Sequence, residues 1–201
     1  MKKLKAAERR AQIINVSRKL FSEKGFNGTT TREIAEASGV SETVIFQHFA
    51  SKRELYSAII DERIQEVGPP ISDEAIRARD DAAVFGHYAR SLLQRTAEDP
   101  TLLRLLYFSA LEGHELSDIF YSTHEIKKVM KFVDYIKLRV EEGAFRQLDP
   151  VLVARAFTGM FYTYITSEYL FSSTKYYSSR SIDQVVDNFL TVFLHGVVKA
   201  S

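Results

Sequence analysis

The sequence TTREIAEASGVSETVIFQH, residues 30–48, predicts two short helices separated by a tight turn. Thr30 and Glu33 have the spacing of a capping box, in which each side chain bonds to the other residue's backbone N–H at a helix start. Two helices that cross closely need a small residue at the crossing and a residue that tolerates positive φ in the turn. Ala35 and Gly39 meet these two needs. The stretch therefore predicts a helix-turn-helix.

The outward face of the second short helix is polar. Polar side chains near the N-terminus of such a helix suit contacts with base edges in the major groove of DNA, and flanking basic or hydroxyl groups suit phosphates. The predicted DNA-binding residues are Thr31, Arg32, Ser41, Glu42, Thr43, Gln47, His48 and Lys52. Each of them, taken singly, is equally compatible with a helix cap or a solvated surface side chain. Their combination in one window favours the DNA-binding interpretation.

Residues 21–56, FSEKGFNGTTTREIAEASGVSETVIFQHFASKRELY, resemble the DNA-binding signature of the tetracycline repressor (TetR) family. The matching elements are Gly25-Phe26, Thr29-Thr30, Ile34-Ala35, Gly39-Val40-Ser41, His48-Phe49 and Ser51-Lys52-Arg53-Glu54-Leu55. The resemblance covers the first quarter of the chain. It implies a transcriptional regulator, usually a repressor, that binds a palindromic operator as a homodimer. Its DNA-contacting positions fall on the residues named above except Arg32.

Two residues complicate this resemblance. The family often has a tyrosine where this chain has Phe46, and the tyrosine hydroxyl can contact phosphate. Phe46 is therefore expected either to pack or to make an apolar contact. The carboxylate of Glu42 repels phosphates unless it accepts a hydrogen bond from a cytosine amine, so Glu42 is equally a residue that stabilises the positive end of its helix.

The remaining sequence also predicts helices, and the expected fold class is all-α with about nine helices. Ser72 is expected to cap one long helix that reaches about Ala97. No segment alternates apolar and polar residues between hairpin turns.

The expected organisation is a basic head and an acidic body. Residues 1–56 form the predicted DNA-binding domain, with 11 Lys and Arg against 6 Asp and Glu. Residues 57–201 form the predicted ligand-binding and dimerisation domain, with 16 Lys and Arg against 20 Asp and Glu. The helix at 52–67 is expected to link the two and to end before Gly68-Pro69-Pro70. A basic head suits a polyanionic partner such as DNA.

Several classes of protein are excluded or disfavoured. The chain has no cysteine, which excludes disulfides and thiolate metal sites. No apolar run reaches the length of a membrane span, and the N-terminus lacks the apolar core of a signal peptide, so a cytoplasmic protein is expected. His114 and His124 lack a second ligand at helical spacing, and no metal or cofactor is expected. No nucleophile–base pair is evident, so no enzymatic activity is expected.

Two predicted helices near 150–172 and 181–198 are apolar on more than one side. They are expected to form a four-helix dimer interface with a second copy, although both could be core helices of a monomer. The middle of the chain is rich in aromatic residues, which suit a small apolar or aromatic ligand, although aromatics at helical spacing more often belong to a core. The predicted ligand-binding residues are Phe108, Phe132, Tyr135, Phe157 and Tyr164.

The predicted function is therefore a sequence-specific repressor that a small-molecule ligand releases from its operator. The alternative is a DNA-binding protein of the same fold that regulates no gene, such as a nucleoid-associated or division-control factor. Such a protein would use many genomic sites and no ligand.

Overall fold

The computed structural model describes residues 5–65, 71–113, 126–171 and 180–198, and this part of the chain contains ten helices and no β-strand. The helices are α1 (Ala6–Lys24), α2 (Thr31–Ser38), α3 (Glu42–His48), α4 (Lys52–Gln65), α5 (Asp73–Ala78), α6 (Asp81–Glu98), α7 (Thr101–Leu111), α8 (Ile126–Glu141), α9 (Pro150–Tyr169) and α10 (Ile182–Val197). The all-α prediction is confirmed. The predicted helix end at Gly68-Pro69-Pro70 lies outside the described residues.

The prediction of one long helix from Ser72 to Ala97 is wrong, because the chain forms two helices there, α5 and α6. Arg79 adopts a left-handed conformation with φ of 58°, which costs a non-glycine residue about 1–2 kcal/mol. Asp80 offsets this cost by capping α6, where its carboxylate accepts from the N–H of Ala83 at 2.9 Å. The break therefore rests on a cap that the sequence pattern did not reveal.

The first of two compact units contains α1 to α4 and α7. Its buried core joins Ile34 of α2 and Ile45 of α3 to Phe21 of α1, Tyr56 of α4 and Leu105 of α7. α7 is therefore part of the core that supports the helix-turn-helix, although it lies well beyond residue 56 in the sequence. The predicted functional division at residue 56 stays a prediction.

The second compact unit contains α5, α6 and α8 to α10. α10 packs on α6, and α9 packs on α8 and α6. Gly86 lets α10 approach α6 closely, because a Cβ at this position would stand 3.3 Å from Leu190 Cδ1 and 2.9 Å from Arg90 Nη1. The interior is aromatic: the ring of Phe85 contacts those of Phe132 and Phe157 at centroid distances of 4.8 and 4.9 Å.

Candidate DNA interface

The turn between α2 and α3 has the predicted geometry. Gly39 is left-handed, with φ of 65°, a conformation that glycine adopts without a steric penalty. The N–H of Val40 donates to Ala35 O at 3.0 Å, and Ala35 is buried where the two helices meet. The amide of Gln12 in α1 also donates to Ser38 O at 3.2 Å. The turn is therefore fixed from within and from α1.

A capping box and an ion pair fix the start of α2. The N–H of Thr30 donates to Glu33 Oε2 at 2.9 Å, and Thr30 Oγ1 accepts from the N–H of Glu33 at 3.2 Å, as predicted. Lys24 Nζ lies 2.7 Å from Glu33 Oε1. The hydrogen bond from Lys24, with those from Thr30, lowers the pKa of Glu33 to about 2. This carboxylate is therefore ionised at neutral pH and holds α2 in place.

α3 presents its polar side chains to solvent. Glu42, Thr43 and Gln47 are exposed, His48 is half-buried, and Ser41 stands at the N-cap position without a side-chain capping bond. Phe46 lies among them with 47% of its surface exposed. Exposure decides between the two roles expected for Phe46, because a packing role does not fit. The remaining role is an apolar contact, and the methyl group of thymine is its natural partner in the major groove.

Four of the predicted DNA-binding residues already have hydrogen-bond or ion-pair partners within the unit. Thr31 Oγ1 donates to Glu42 Oε2 at 2.6 Å, so these two side chains form a pair across the turn. Arg32 Nε lies 3.1 Å from Glu36 Oε1, with both side chains largely exposed. Such exposed pairs contribute little stability, so Arg32 can exchange its partner for a phosphate at small cost.

Lys52 is held more firmly. Its ammonium donates to the carbonyls of Phe26 at 2.8 Å and Thr29 at 2.9 Å, and it stands 4.2 Å from the centroid of the Phe26 ring. Burial lowers the pKa of Lys52, and the charge of Glu112 opposes this effect. A lysine ammonium has three N–H donors, so one remains for a phosphate.

The five predicted ligand-binding residues are divided between the two compact units. Phe132, Tyr135 and Phe157 lie in the aromatic interior of the second unit. Tyr164 lies on α9 with its ring against that of Phe189. Phe108 lies on α7 in the first unit.

The polar end of Tyr135 is occupied. Its hydroxyl donates to Asp81 Oδ1 at 2.5 Å. Burial raises the pKa of Tyr135, and this hydrogen bond raises it further. An open depression of about 480 Å³ runs along α6, and the predicted ligand-binding residues do not line it. Its lining residues are Ala83, His87, Arg90, Ser91, Gln94, Arg95 and Glu98.

Two further properties concern the described residues alone. No group of three His, Asp or Glu side chains there has the arrangement of a metal site; His114 and His124 lie outside that part of the chain. None of the described helices is long and apolar enough to cross a membrane.

The α2–α3 unit, with its fixed turn and exposed polar face, defines a helix-turn-helix DNA-binding protein. The family model described as bacterial regulatory proteins, tetR family, matches residues 13–59. A second model, described as the C-terminal domain of AefR-like transcriptional repressors, matches residues 87–196, which is more than half of the chain. The chain belongs to the tetR family of bacterial regulatory proteins. It is accordingly a DNA-binding transcriptional regulator, and the family's members are regulators and not enzymes.

Relatives extend this likeness over most of the chain. The HTH-type transcriptional repressor KstR2 of Mycobacterium tuberculosis is 25% identical over 214 aligned positions, covering 95% of this chain and 94% of that protein. The nucleoid occlusion factor SlmA of Pasteurella multocida is 29% identical, covering 66% of this chain and 63% of that protein. The solved structure of AibR in complex with isovaleryl coenzyme A and operator DNA has a TM-score of 0.66 at 18% identity, and the match covers 92% of this chain and 97% of that chain.

Two features of the first unit were not predicted from the sequence. The exposure of Phe46 depends on the direction in which α3 packs, and the apolar character of this residue alone suggested either role. The place of α7 in the head depends on contacts between residues far apart in the chain. A buried tyrosine at position 56, whose hydroxyl must find a partner, was the one local signal of such a contact.

Proposed function

We propose that this chain is a homodimeric repressor whose two heads bind a palindromic operator and whose body binds a small apolar or aromatic ligand that releases the DNA. The observation that carries the proposal is the exposed face of α3, where Thr43 and Gln47 are free to reach base edges. Ser41 at the N-cap and the first N–H groups of the helix suit a phosphate. Phe46 adds an apolar contact.

The remaining contacts follow from the geometry of the head. Thr31 and Arg32 lie at the start of α2 and suit phosphates, as does the third N–H of Lys52. Glu42, paired with Thr31, accepts from a cytosine amine or keeps its place at the positive end of α3. His48 lies at the end of α3 and contacts the edge of the site. The protein acts in the cytoplasm, where its DNA is.

The second copy is proposed to pack on the outward faces of α9 and α10. Leu152 and Val192 leave 63% and 71% of their surfaces exposed. Gly159 and Gly196 face open space, since nothing lies within 4 Å of a Cβ built on either residue. An exposed apolar face with room for a close neighbour suits a two-fold contact between identical helices.

This interface is testable by a matched pair of variants. Leu152→Arg is expected to turn the dimer into a monomer in sedimentation velocity, because it buries a charge at the contact. Leu111→Arg is the control, since Leu111 is 83% exposed and belongs to neither helix of the proposed interface. If both variants sediment as the wild type does, α9 does not form the interface.

The ligand is proposed to enter the aromatic interior of the second unit, among Phe132, Tyr135 and Phe157. The rings of Phe132 and Phe157 contact each other, and the ring of Tyr135 contacts that of Phe85, so a ligand has to displace at least one side chain of this interior. AibR binds isovaleryl coenzyme A, and this compound is therefore the first probe, followed by flat aromatic compounds. The expected result is a weaker operator complex as the effective probe is added, by population shift.

The central experiment is selection of binding sequences from a random duplex pool. A palindromic consensus is expected, and Gln47→Ala is expected to weaken binding to it by about tenfold or more, the effect of one base contact of about 1–3 kcal/mol. Gln94→Ala, at an exposed position of α6, is the control and should bind as the wild type does. Binding that shows no consensus and only follows the salt concentration would contradict the proposal.

The match to a nucleoid occlusion factor favours a second candidate, a DNA-binding factor that acts on chromosome organisation or division. It requires many genomic sites and no ligand response. Mapping of bound sites across a genome separates the two functions: a few promoter sites support the repressor, and dozens of dispersed sites support the second candidate.

A further inference from the structure

Glu112 extends from the end of α7 to the turn between α1 and α2. Its Oε2 accepts from the N–H of Phe26 at 3.1 Å, and its Oε1 accepts from the N–H of Asn27 at 3.3 Å. Hydrogen bonds from backbone N–H groups to a carboxylate are stronger than those between neutral groups. One side chain of α7 therefore holds two consecutive residues of this turn.

Gly25 makes room for this contact. Its φ is +74°, and a Cβ at this position would stand 2.4 Å from Glu112 Oε1 and 3.0 Å from Phe108 Cδ1. A side chain at position 25 would therefore be disfavoured by its backbone conformation and would also displace the carboxylate.

Lys52, whose charge is opposite to that of Glu112, binds the same turn. Its ammonium binds the carbonyls of Phe26 and Thr29, whereas Glu112 binds N–H groups. Thr29 is buried and donates its hydroxyl to Gly25 O at 2.8 Å, and Thr30 caps α2 directly after it. The turn and the first residue of α2 are therefore fixed from α4 and from α7 together.

Two further hydrogen bonds attach α7 to α1 and α4 and so hold the helix that carries Glu112 at its end. Arg104 Nε donates to Ser22 O of α1 at 2.8 Å, and the hydroxyl of Tyr56 in α4 donates to Leu105 O at 2.8 Å. These bonds lie about two helical turns from Glu112, so α7 is attached at both ends.

We propose that Glu112 is a positioning residue for operator recognition: by holding Phe26 and Asn27, it sets where α2 begins and thus how α3 is presented to DNA. The inference rests on the proposed function, in which α3 reads the operator. Glu112 itself contacts no DNA.

The direction in which one substitution changes DNA affinity distinguishes a positioning role from a purely electrostatic one. Removing a negative charge near a DNA-binding surface raises affinity for DNA if charge alone matters. If Glu112 positions α2, Glu112→Gln weakens operator binding instead. Glutamine has no charge to strengthen the bonds from Phe26 and Asn27, and it has one accepting oxygen where the carboxylate has two. Glu62→Gln, at an exposed position of α4, is the control for loss of one charge.

The experiment compares the wild type, Glu112→Gln, Glu112→Asp and Glu62→Gln, after circular dichroism and thermal unfolding have shown that each is folded. Amide hydrogen exchange is measured at Phe26 and Asn27, and affinity is measured for the selected operator and for random duplex. For Glu112→Gln we expect exchange at the two amides to be about tenfold faster and operator affinity about tenfold lower, the effect of one charge-assisted hydrogen bond. Affinity for random duplex should not fall. Aspartate, one methylene shorter, should behave like glutamine, and Glu62→Gln like the wild type.

Three results would overturn the inference. Unchanged exchange in Glu112→Gln would show that Glu112 does not hold the turn. Faster exchange with unchanged or tighter operator binding would show that the turn does not position α3, and wild-type binding by Glu112→Asp would show that charge alone matters. If the wild-type protein selects no sequence, the proposed function fails and the inference fails with it, whereas a selected operator with an unaffected variant overturns the inference alone.

Discussion

Two aspartate–arginine pairs in the second unit differ strongly in burial, and the same substitution can be made in both. Asp81 binds Arg139 through two hydrogen bonds of 2.9 and 3.0 Å, with side-chain exposures of 18% and 15%. Asp183 binds Arg90 at 2.9 Å, with side-chain exposures of 74% and 38%. Both aspartates lie in the first turn of a helix, so the loss of a favourable interaction with the helix dipole is similar in both substitutions.

Each arginine also keeps a second acidic partner after the substitution. Arg139 lies 2.7 Å from Glu142 Oε2, and Arg90 lies 2.9 Å from Asp187 Oδ1. The two sites differ in their exposure to water, which decides how strongly charges interact. They differ also in hydrogen bonding, because Asp81 accepts two bonds from Arg139 and one from the Tyr135 hydroxyl, whereas Asp183 accepts one from Arg90.

Asp81→Asn is expected to lower the free energy of unfolding by about 2 kcal/mol. This value lies between the ~0.2–1 kcal/mol of an exposed pair and the ~3–5 kcal/mol of a fully buried pair that loses one partner. The expected loss is smaller than that of a fully buried pair because Glu142 remains beside Arg139. For a chain of this size the melting temperature should fall by about 4–8 °C. Asp183→Asn is expected to change it by less than ~2 °C.

The assay is thermal unfolding followed by circular dichroism, with all proteins at one concentration because association shifts the apparent stability. Equal melting temperatures for the two variants would show that exposure does not decide the strength of these pairs. A larger fall in melting temperature for Asp183→Asn than for Asp81→Asn would show the same.

Three further predictions concern the head. Tyr56→Phe removes the hydrogen bond to Leu105 O and should cost about 1 kcal/mol, seen as a shift of about 2–4 °C in melting temperature; an unchanged value would contradict this. Glu33→Gln should destabilise the protein at neutral pH. Because the pKa of Glu33 falls to about 2 when Lys24 binds it, the difference in melting temperature between this variant and the wild type should shrink as the pH falls from 4.5 towards 2, and a constant difference would be inconsistent with this role. Gly39→Ala should cost about 1–2 kcal/mol through its left-handed backbone alone, since a Cβ there meets no other atom within 4 Å; chemical denaturation would show whether stability is instead unchanged.

The local features of the head were predictable because they depend on a few neighbouring residues. The capping box of Thr30 and Glu33 and the left-handed turn at Gly39 are each decided within about five residues, by backbone N–H groups that need partners and by the absence of a Cβ. The family resemblance of residues 21–56 follows from this local pattern, and the family membership agrees with it.

The break at Arg79 was missed because two weak local preferences compete there. The apolar spacing continues through the break, as it would in one long helix. The carboxylate of Asp80 caps a new helix, and the side chain of Arg79 binds Glu142 at 2.8 Å, a residue far away in the sequence. The break between α5 and α6 is therefore supported by a local cap and by a tertiary contact, and periodicity reveals neither.

Periodicity, caps and glycine positions are local properties of the chain, and they were enough to predict the helix-turn-helix, the all-helical class and the polar character of α3. Which helices share a core depends on contacts between distant segments. These contacts place α7, with Phe108, in the first unit, whereas the other predicted ligand-binding residues belong to the second. Packing also leaves Phe46 exposed. It also brings Glu112 to the turn before α2, 85 residues away from Asn27. Periodicity shows that a helix has a face to bury, but shape and charge complementarity between distant segments decide which partner buries it.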